Sequence, residues 1–306
     1  MDWNVKPYLE PVLGDTFCIV TGYSRIPLFK LGGGRAVLID SGLAKPDREG
    51  ILDLLRRENL RAAAVLTSHA HIDHTGNHSV LQSEHGAVLY MTAFDAAISS
   101  TPMNLKSYLY GTSYRGLMGY WDSMLCRMDR VIRPEDAEVE IEGARFQILR
   151  LPGHAPEHLG FVTPDGVAYL ADALMSDRVL ESVRIPYCMC CELDIQTKQE
   201  IRTMDYARYI IPHNGVCDEV AALAQRNIQK LEEKIEVVAS LADHYITLEQ
   251  LVAESVTAMG ASRDTVYKIR VAERNIRVFV EHLLDMGRLT QRADRGLIEY
   301  IRTDCL

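Results

Sequence analysis

No stretch of this 306-residue chain approaches the ~20 consecutive apolar residues that a membrane-spanning helix needs. The opening residues Met1-Asp2-Trp3-Asn4-Val5-Lys6 lack a basic patch followed by an apolar run, so no export signal is expected and the cytoplasm is the expected compartment. Disulfide-ready pairing is missing as well. The chain has seven cysteines, an odd number, which fits a reducing compartment better than a disulfide scaffold. The cluster Cys188-Met189-Cys190-Cys191 invites a metal or redox reading, but it has no second pair to complete a zinc site, and buried or half-buried thiols near a site entrance are favoured over a redox pair. Positive charge is in deficit: a net charge of −9 argues against a protein built to grip nucleic acid. No Gly-x-Ser-x-Gly turn is present to supply a serine nucleophile.

What the chain does have is a dense set of metal-ligand side chains. Thr67-Ser68-His69-Ala70-His71-Ile72-Asp73-His74-Thr75-Gly76-Asn77 places three imidazoles and a carboxylate within six residues, directly after the apolar run 62–66. Imidazole nitrogen and carboxylate oxygen are first-choice ligands for zinc and similar divalent ions. Burying so many ionisable groups together is costly unless a cation compensates them. The strand-like lead-in predicts a site at a strand's carboxyl end, where α/β sheets place theirs. Three further candidates, His154, Asp172 and His213, each follow a short β-like run at 145–151, 167–170 and 209–211.

A pass along the chain predicts strands at 17–21, 36–40, 62–66 and 87–90, with helices at 46–60 and 77–84 between them. Residues 93–132 break this β/α rhythm and read as a helical insertion. Tyr108, Tyr110, Tyr114, Tyr120 and Trp121 occur there with Met103, Met118, Met124 and Met128. Such side chains make an adaptable apolar wall for an acyl or ring-bearing substrate, or pack the insertion onto the body. Helices are predicted at 192–206, 218–241, 247–258 and 264–286, with a hairpin about Asp294-Arg295-Gly296. The division expected is a catalytic domain over 1–215 and a helical, winged-helix-like region over 216–306. Residues 246–302 hold nine Lys/Arg against eight Asp/Glu, a balance that favours packing or dimerisation over DNA reading.

Across roughly residues 15–215 the chain resembles the metallo-β-lactamase superfamily, in its dinuclear hydrolase branch. His69, His71, Asp73 and His74 stand as the family's His-x-His-x-Asp-His. His154 stands as its Gly-His, Asp172 as its strand-end aspartate and His213 as its last histidine. The resemblance implies an αββα sandwich with the site along one edge. It implies that His69, His71 and His154 hold one ion, that Asp73, His74 and His213 hold the other, and that Asp172 bridges them. Two divalent ions are expected, zinc first, with manganese or iron fitting the same donors. Some departures matter. The last motif reads Pro212-His213-Asn214-Gly215 where the family has Pro-Gly-His-Gly, and Met175 stands where lactonases of the family carry a tyrosine. His71 argues against the flavodiiron branch, which has glutamate there. In layout the chain is also similar to a thioesterase-like, glyoxalase II-like subset with a helical insertion and a helical C-terminal extension.

The expected function is therefore metal-dependent hydrolysis of a small acyl substrate, a thioester of the hydroxyacylglutathione or acyl-CoA type or a related ester. The nucleophile would be a hydroxide shared by the two ions, with Asp73 orienting it and taking its proton. Alternatives are a nuclease or phosphodiesterase acting on RNA or a nucleotide, a lactonase, and a non-catalytic regulator that keeps the metal site. Asp40, Ser68, Thr75 and His158 are the candidates for fixing imidazole tautomers, with His158 placed near the rim and read as packed in its loop rather than ligating. No membrane partner is expected, nucleic acid is disfavoured, and the C-terminal region leaves room for a homodimer.

Overall fold

The computed structural model describes residues 5–109, 113–213 and 215–305. Tyr110 of the aromatic insertion and Asn214 of the last motif lie outside the described residues. Contacts divide the chain into two units that are discontinuous in sequence. The first comprises Met1–Leu151, Glu157–Ser176 and Met204–Val220; the second comprises Pro152–Pro156, Asp177–Thr203 and Ala221–Leu306.

In the first unit, strands β1 (Tyr8–Leu13), β2 (Thr16–Val20), β3 (Arg25–Gly32) and β4 (Arg35–Ile39) run as an antiparallel meander. Helix α1 (Arg48–Arg57) leads to β5 (Arg61–Leu66), then the short α2 (Ile72–Thr75), α3 (His78–His85) and β6 (Val88–Thr92). Helices α4 (Ala93–Ser100), α5 (Pro102–Tyr108) and α6 (Tyr114–Tyr120) precede β7 (Arg130–Ile132), so the insertion is helical in these three segments and ends in a strand. The first sheet has the order β1-β2-β3-β4-β5-β6-β7, parallel from β4 to β7. A second sheet is built from β8 (Glu138–Ile141), β9 (Ala144–Arg150), β10 (Leu159–Val162), β11 (Val167–Tyr169), β12 (Arg208–Ile211) and β13 (Gly215–Cys217), in the order β13-β12-β11-β10-β9-β8. Only β11 and β12 are parallel within it.

Side-chain alternation explains the layering. On β4, Val37 and Ile39 face an inner core with Phe146, Phe161, Tyr169 and Ile210 of the second sheet. Ala36 and Leu38 face the other way, onto Ile51, Leu54 and Leu55 of α1 and Leu81 of α3. This is an α/β sandwich in which β4, β5 and β6 are covered on both faces, hence their unbroken apolar runs. β1 was not legible in the same way: it is an edge strand, half exposed and carrying Pro11, so its pattern carries little apolar signal.

The second unit contains α7 (Asp177–Ser182), α8 (Cys191–Ile201), α9 (Ala221–Leu241), β14 (Ile246–Thr247), α10 (Leu248–Ala258), α11 (Val266–Asp285), β15 (Leu289–Asp294) and β16 (Leu297–Arg302). Its small sheet has the order β14-β16-β15. Its core runs from Leu231 and Val238 of α9 through Leu251 of α10 to Ile276 and Phe279 of α11. α10 opens on a reciprocal cap in which Thr247 and Gln250 each satisfy the other's backbone amide. No helix of the described residues is long and apolar enough to cross a membrane.

One glycine is required by packing at the site's edge. A Cβ on Gly76, just past α2, would sit 2.5 Å from the Ala44 nitrogen and 2.6 Å from the Gly42 oxygen, both backbone atoms. Gly76→Ala is expected to lower unfolding free energy by about 1–3 kcal/mol, as overpacking does. Urea titration of the variant checks this, and an unchanged midpoint would refute it.

Candidate metal centre

The carboxyl ends of β4, β5, β11 and β12 converge on one edge of the first unit, which is why the side chains that follow them meet. Asp40 follows β4, His69 follows β5, Asp172 lies just past β11 and His213 just past β12. The backbone ties these ends together: Asp40 N donates to Leu66 O at 2.8 Å, and Leu159 N of β10 donates to Ser68 O at 2.9 Å.

Six of the seven predicted ligands lie in this unit. Asp73, His74, Asp172 and His213 place one donor atom each within 4.8 Å of one another, and the donors of His69, His71 and Asp172 are likewise within 4.8 Å. His74 Nε2 lies 3.4 Å from Asp172 Oδ2 and 3.6 Å from Asp73 Oδ2. His213 Nε2 lies 3.5 Å from Asp172 Oδ1 and 3.5 Å from Asp73 Oδ2. His154, the seventh, belongs to the second unit, on the Pro152–Pro156 turn, where its ring packs 5.1 Å from that of Tyr187.

Hydrogen bonds on the far side of each ring fix its tautomer. Asp40 Oδ2 accepts from His74 Nδ1 at 2.7 Å, from Ser68 Oγ at 2.7 Å and from Tyr169 OH at 2.8 Å; its Oδ1 accepts from Ser68 N at 2.8 Å. Because Ser68 Oγ donates to Asp40, it accepts from His69 Nδ1, 3.0 Å away. His213 Nδ1 donates to Tyr23 O at 3.2 Å, and His71 Nε2 meets Tyr108 OH at 3.0 Å. The far-side nitrogen is thus Nδ1 on His69, His74 and His213, so each of these rings turns Nε2 toward the shared space, while His71 turns Nδ1 there. His69 Nε2 and His71 Nδ1 then stand 2.9 Å apart. One hydrogen shared between them accounts for that distance, and a metal ion can take its place. His74 Nε2 is buried and makes no hydrogen bond among the described residues. These features fit two divalent ions on His and Asp donors, a borderline-hard set suited to zinc, manganese or iron.

Electrostatics agree. Burial opposes charge on His74, but the carboxylates of Asp73, Asp172 and Asp40 outweigh it and raise its pKa well above the ordinary histidine range. Burial likewise opposes ionisation of Asp172, yet His74 and His213 hold its carboxyl well below the usual range. Without a metal, His74 would therefore hold a proton beside an ionised Asp172, in the place where a divalent ion's charge fits.

The expected positioning residues divide. Asp40 and Ser68 do orient imidazoles, while Thr75 Oγ1 donates to His71 O at 3.0 Å instead. His158, expected near the rim, is buried with its ring 4.7 Å from that of His69, because Leu159 N is drawn in to Ser68 O. Tyr23, Tyr108, Tyr169 and Asp95 were not anticipated in these roles. Asp95 Oδ1 accepts from Ala70 N at 2.9 Å, pinning the backbone between His69 and His71, and Thr92 Oγ1 donates to its Oδ2 at 2.7 Å. A signal existed for Asp95, since Thr92-x-x-Asp95 is a helix-start pattern. None existed for Tyr23, which contributes only a backbone oxygen. Within the insertion, Met124 is buried and Tyr108 and Trp121 pack against the same core, whereas Met103, Tyr114, Met118 and Tyr120 are exposed.

His78, assigned no chemistry, is a buried brace: its Nδ1 meets Ser41 Oγ at 2.7 Å and its Nε2 meets Thr67 Oγ1 at 2.8 Å. Burial pushes its pKa from 6.5 down to about 4, with Asp40 opposing and His74 assisting. Between those values the unfolded chain binds a proton that the folded chain does not. His78's contribution is therefore complete above pH 6.5 and is lost as pH falls through 4, about 3 kcal/mol in all. NMR titration of its ring, with unfolding measured from pH 7 to 4, checks this; a ring titrating near 6.5 would refute it.

The sequence profile of the metallo-beta-lactamase superfamily matches residues 28–184. A hydroxyacylglutathione hydrolase of Chromohalobacter salexigens is 31% identical over 144 residues, 46% of this chain and 44% of the relative. A hydroxyacylglutathione hydrolase of Haemophilus influenzae is 26% identical over 140 residues, 45% of this chain and 61% of the relative. The chain thus spans about half the length of the curated relatives it matches. Over nearly the whole chain, the fold is similar to that of a metallo-beta-lactamase family protein from Thermus thermophilus, with a TM-score of 0.68, 18% identity and coverage of 97% of this chain and 98% of the other. It is similar also to a beta-lactamase domain protein from Burkholderia ambifaria, with a TM-score of 0.70, 17% identity and coverage of 96% and 93%.

Proposed function

We propose that this chain, which belongs to the metallo-beta-lactamase superfamily, hydrolyses a thioester of the hydroxyacylglutathione or acyl-CoA type. The observation that carries the reading is that Asp172 belongs to both donor groups, which suits one carboxylate serving two ions. The distant hydroxyacylglutathione hydrolase relatives support the thioester in particular.

Two divalent ions at such a site supply a water-derived nucleophile at neutral pH and a Lewis acid for the substrate's carbonyl oxygen. His69, His71 and His154 would hold one ion, and Asp73, His74 and His213 the other, with Asp172 common to both. Asp73 is the proposed proton acceptor for the attacking water, and its carboxyl stays ionised. Burial opposes this, while His74 and His213 favour the ionised form. Asp40, through Ser68 and directly, holds His69 and His74 in the ligating tautomer. The acyl carbon–sulfur bond breaks, water's oxygen joins the acyl carbon, and the thiol leaves with a proton. Tyr108 and Trp121 of the insertion are proposed to limit which acyl groups enter. The helix, helix, hairpin order of α10, α11, β15 and β16 supports a winged-helix-like reading of the C-terminal region.

The test is a panel of acylglutathiones, acyl-CoAs, lactones, aryl esters, a phosphodiester and single-stranded RNA, run on metal-analysed protein. Thioester cleavage that is lost on chelation and restored by zinc is expected. Turnover of RNA or the phosphodiester with inert thioesters would replace this reading with the phosphoryl one.

A further inference from the structure

The cysteine cluster takes no part in the reading above. Cys188 and Cys191 form a Cys-x-x-Cys at the head of α8, with Cys191 as the helix's first residue. Their sulfurs lie 3.7 Å apart and both side chains are buried, whereas Cys190 between them is half-buried. A disulfide bond is ~2.05 Å long, so closure needs about 1.6 Å of approach. A Cys-x-x-Cys at a helix start is an arrangement in which thiol pairs are oxidised and reduced reversibly; here the Cys191 contact and burial raise the Cys188 thiol well above its ordinary range, which makes its oxidation slow.

The segment between the two thiols carries the His154 turn. Met189 N and Cys190 N both donate to Gly153 O, at 2.7 and 3.2 Å. Thr197 Oγ1 of α8 donates to Pro152 O at 2.6 Å, and Tyr187 packs against the His154 ring. Gly153, at φ +132°, is pressed so close that a Cβ there would lie 2.3 Å from Asp194 Cα. The turn has no slack, so a change in the backbone at 188–191 is passed to His154.

We propose that Cys188 and Cys191 are a reversible disulfide site whose closure displaces the His154 turn, and with it an imidazole assigned above to one of the two ions. The oxidant class is a peroxide, small enough to reach a buried pair. One thiol is oxidised by hydrogen peroxide to a sulfenic acid with release of water. The other thiol attacks that sulfur, the S–S bond forms and a second water leaves. Two electrons pass from sulfur to peroxide oxygen, and a dithiol reductant reverses the change. The effect on turnover rests on the hydrolase reading, whereas formation of the bond does not.

The experiment treats the full metal-loaded chain with hydrogen peroxide, alkylates remaining thiols and maps disulfides by peptide mass spectrometry. Metal content and thioester hydrolysis are followed in parallel. The expected result is a Cys188–Cys191 link, loss of one bound ion and a ~10–100-fold fall in rate, all reversed by dithiothreitol. C188S and C191S should resist the treatment. A peroxide-treated chain in which other cysteines oxidise but this link does not form overturns the proposal, as does a linked chain with undiminished metal. A link that releases metal from a protein inactive on every thioester supports the switch and overturns the hydrolase reading alone.

Discussion

Asp172→Ala is expected to empty both halves of the centre at once, taking bound metal from two ions per chain to fewer than one. Its carboxylate is the donor common to the two groups. One oxygen faces His74 Nε2 at 3.4 Å and His69 Nε2 at 4.0 Å, and the other faces His213 Nε2 at 3.5 Å. Residues that merely orient a ligand cost ~10–100-fold when removed, so a shared ligand should cost more than ~100-fold in kcat/KM. His213→Ala is the informative partner, because His213 belongs to one group only and should release a single ion. Metal analysis beside steady-state kinetics separates the cases. If Asp172→Ala kept both ions, the two-ion reading would fail regardless of activity.

Asp40→Asn is expected to cost about 3–5 kcal/mol of stability and to weaken metal binding ~10–100-fold, although Asp40 ligates nothing in the proposed scheme. The carboxylate accepts four hydrogen bonds and is almost wholly buried. Asparagine matches its shape and tolerates its φ of +66°, so the backbone is not the issue. The amide, however, has one acceptor oxygen and one NH2. Placed toward Ser68 Oγ, Tyr169 and His74, the NH2 meets three donors; placed the other way, it meets the Ser68 amide. Either orientation leaves buried donors without acceptors, at about 1–3 kcal/mol each. His74 also loses the partner that keeps the proton on Nδ1 and its Nε2 open to a metal. Urea unfolding and competitive metal titration read the two effects. A variant within ~1 kcal/mol of the parent, with equal metal affinity, would show that Asp40 is not the organiser inferred here.

How legible the centre was depended on how each residue acts. A residue that offers its own side chain as a donor leaves a mark in sequence, and His69 to His74 do so through spacing alone. Residues acting across the chain leave none: Tyr169 reaches Asp40 over 129 positions, and Tyr23 serves His213 through a carbonyl that any residue possesses. The strands followed the same division. β4, β5 and β12 are buried runs and could be read, whereas β1 is a half-exposed edge strand and β3, though buried, is interrupted by Pro27.

By itself the sequence determined the chemistry available: a His/Asp donor set without a serine elbow, placed after apolar runs that form strands. That follows from local physics, since side-chain type and periodicity act over a few residues. Only the tertiary structure decided which nitrogen of each ring is presented, that His158 is buried rather than at the rim, and that Cys188 and Cys191 stand in contact. Those outcomes depend on hydrogen bonds and packing between segments far apart in the chain. A tautomer is set by whatever lies behind the ring, and that becomes known only when the strands have met.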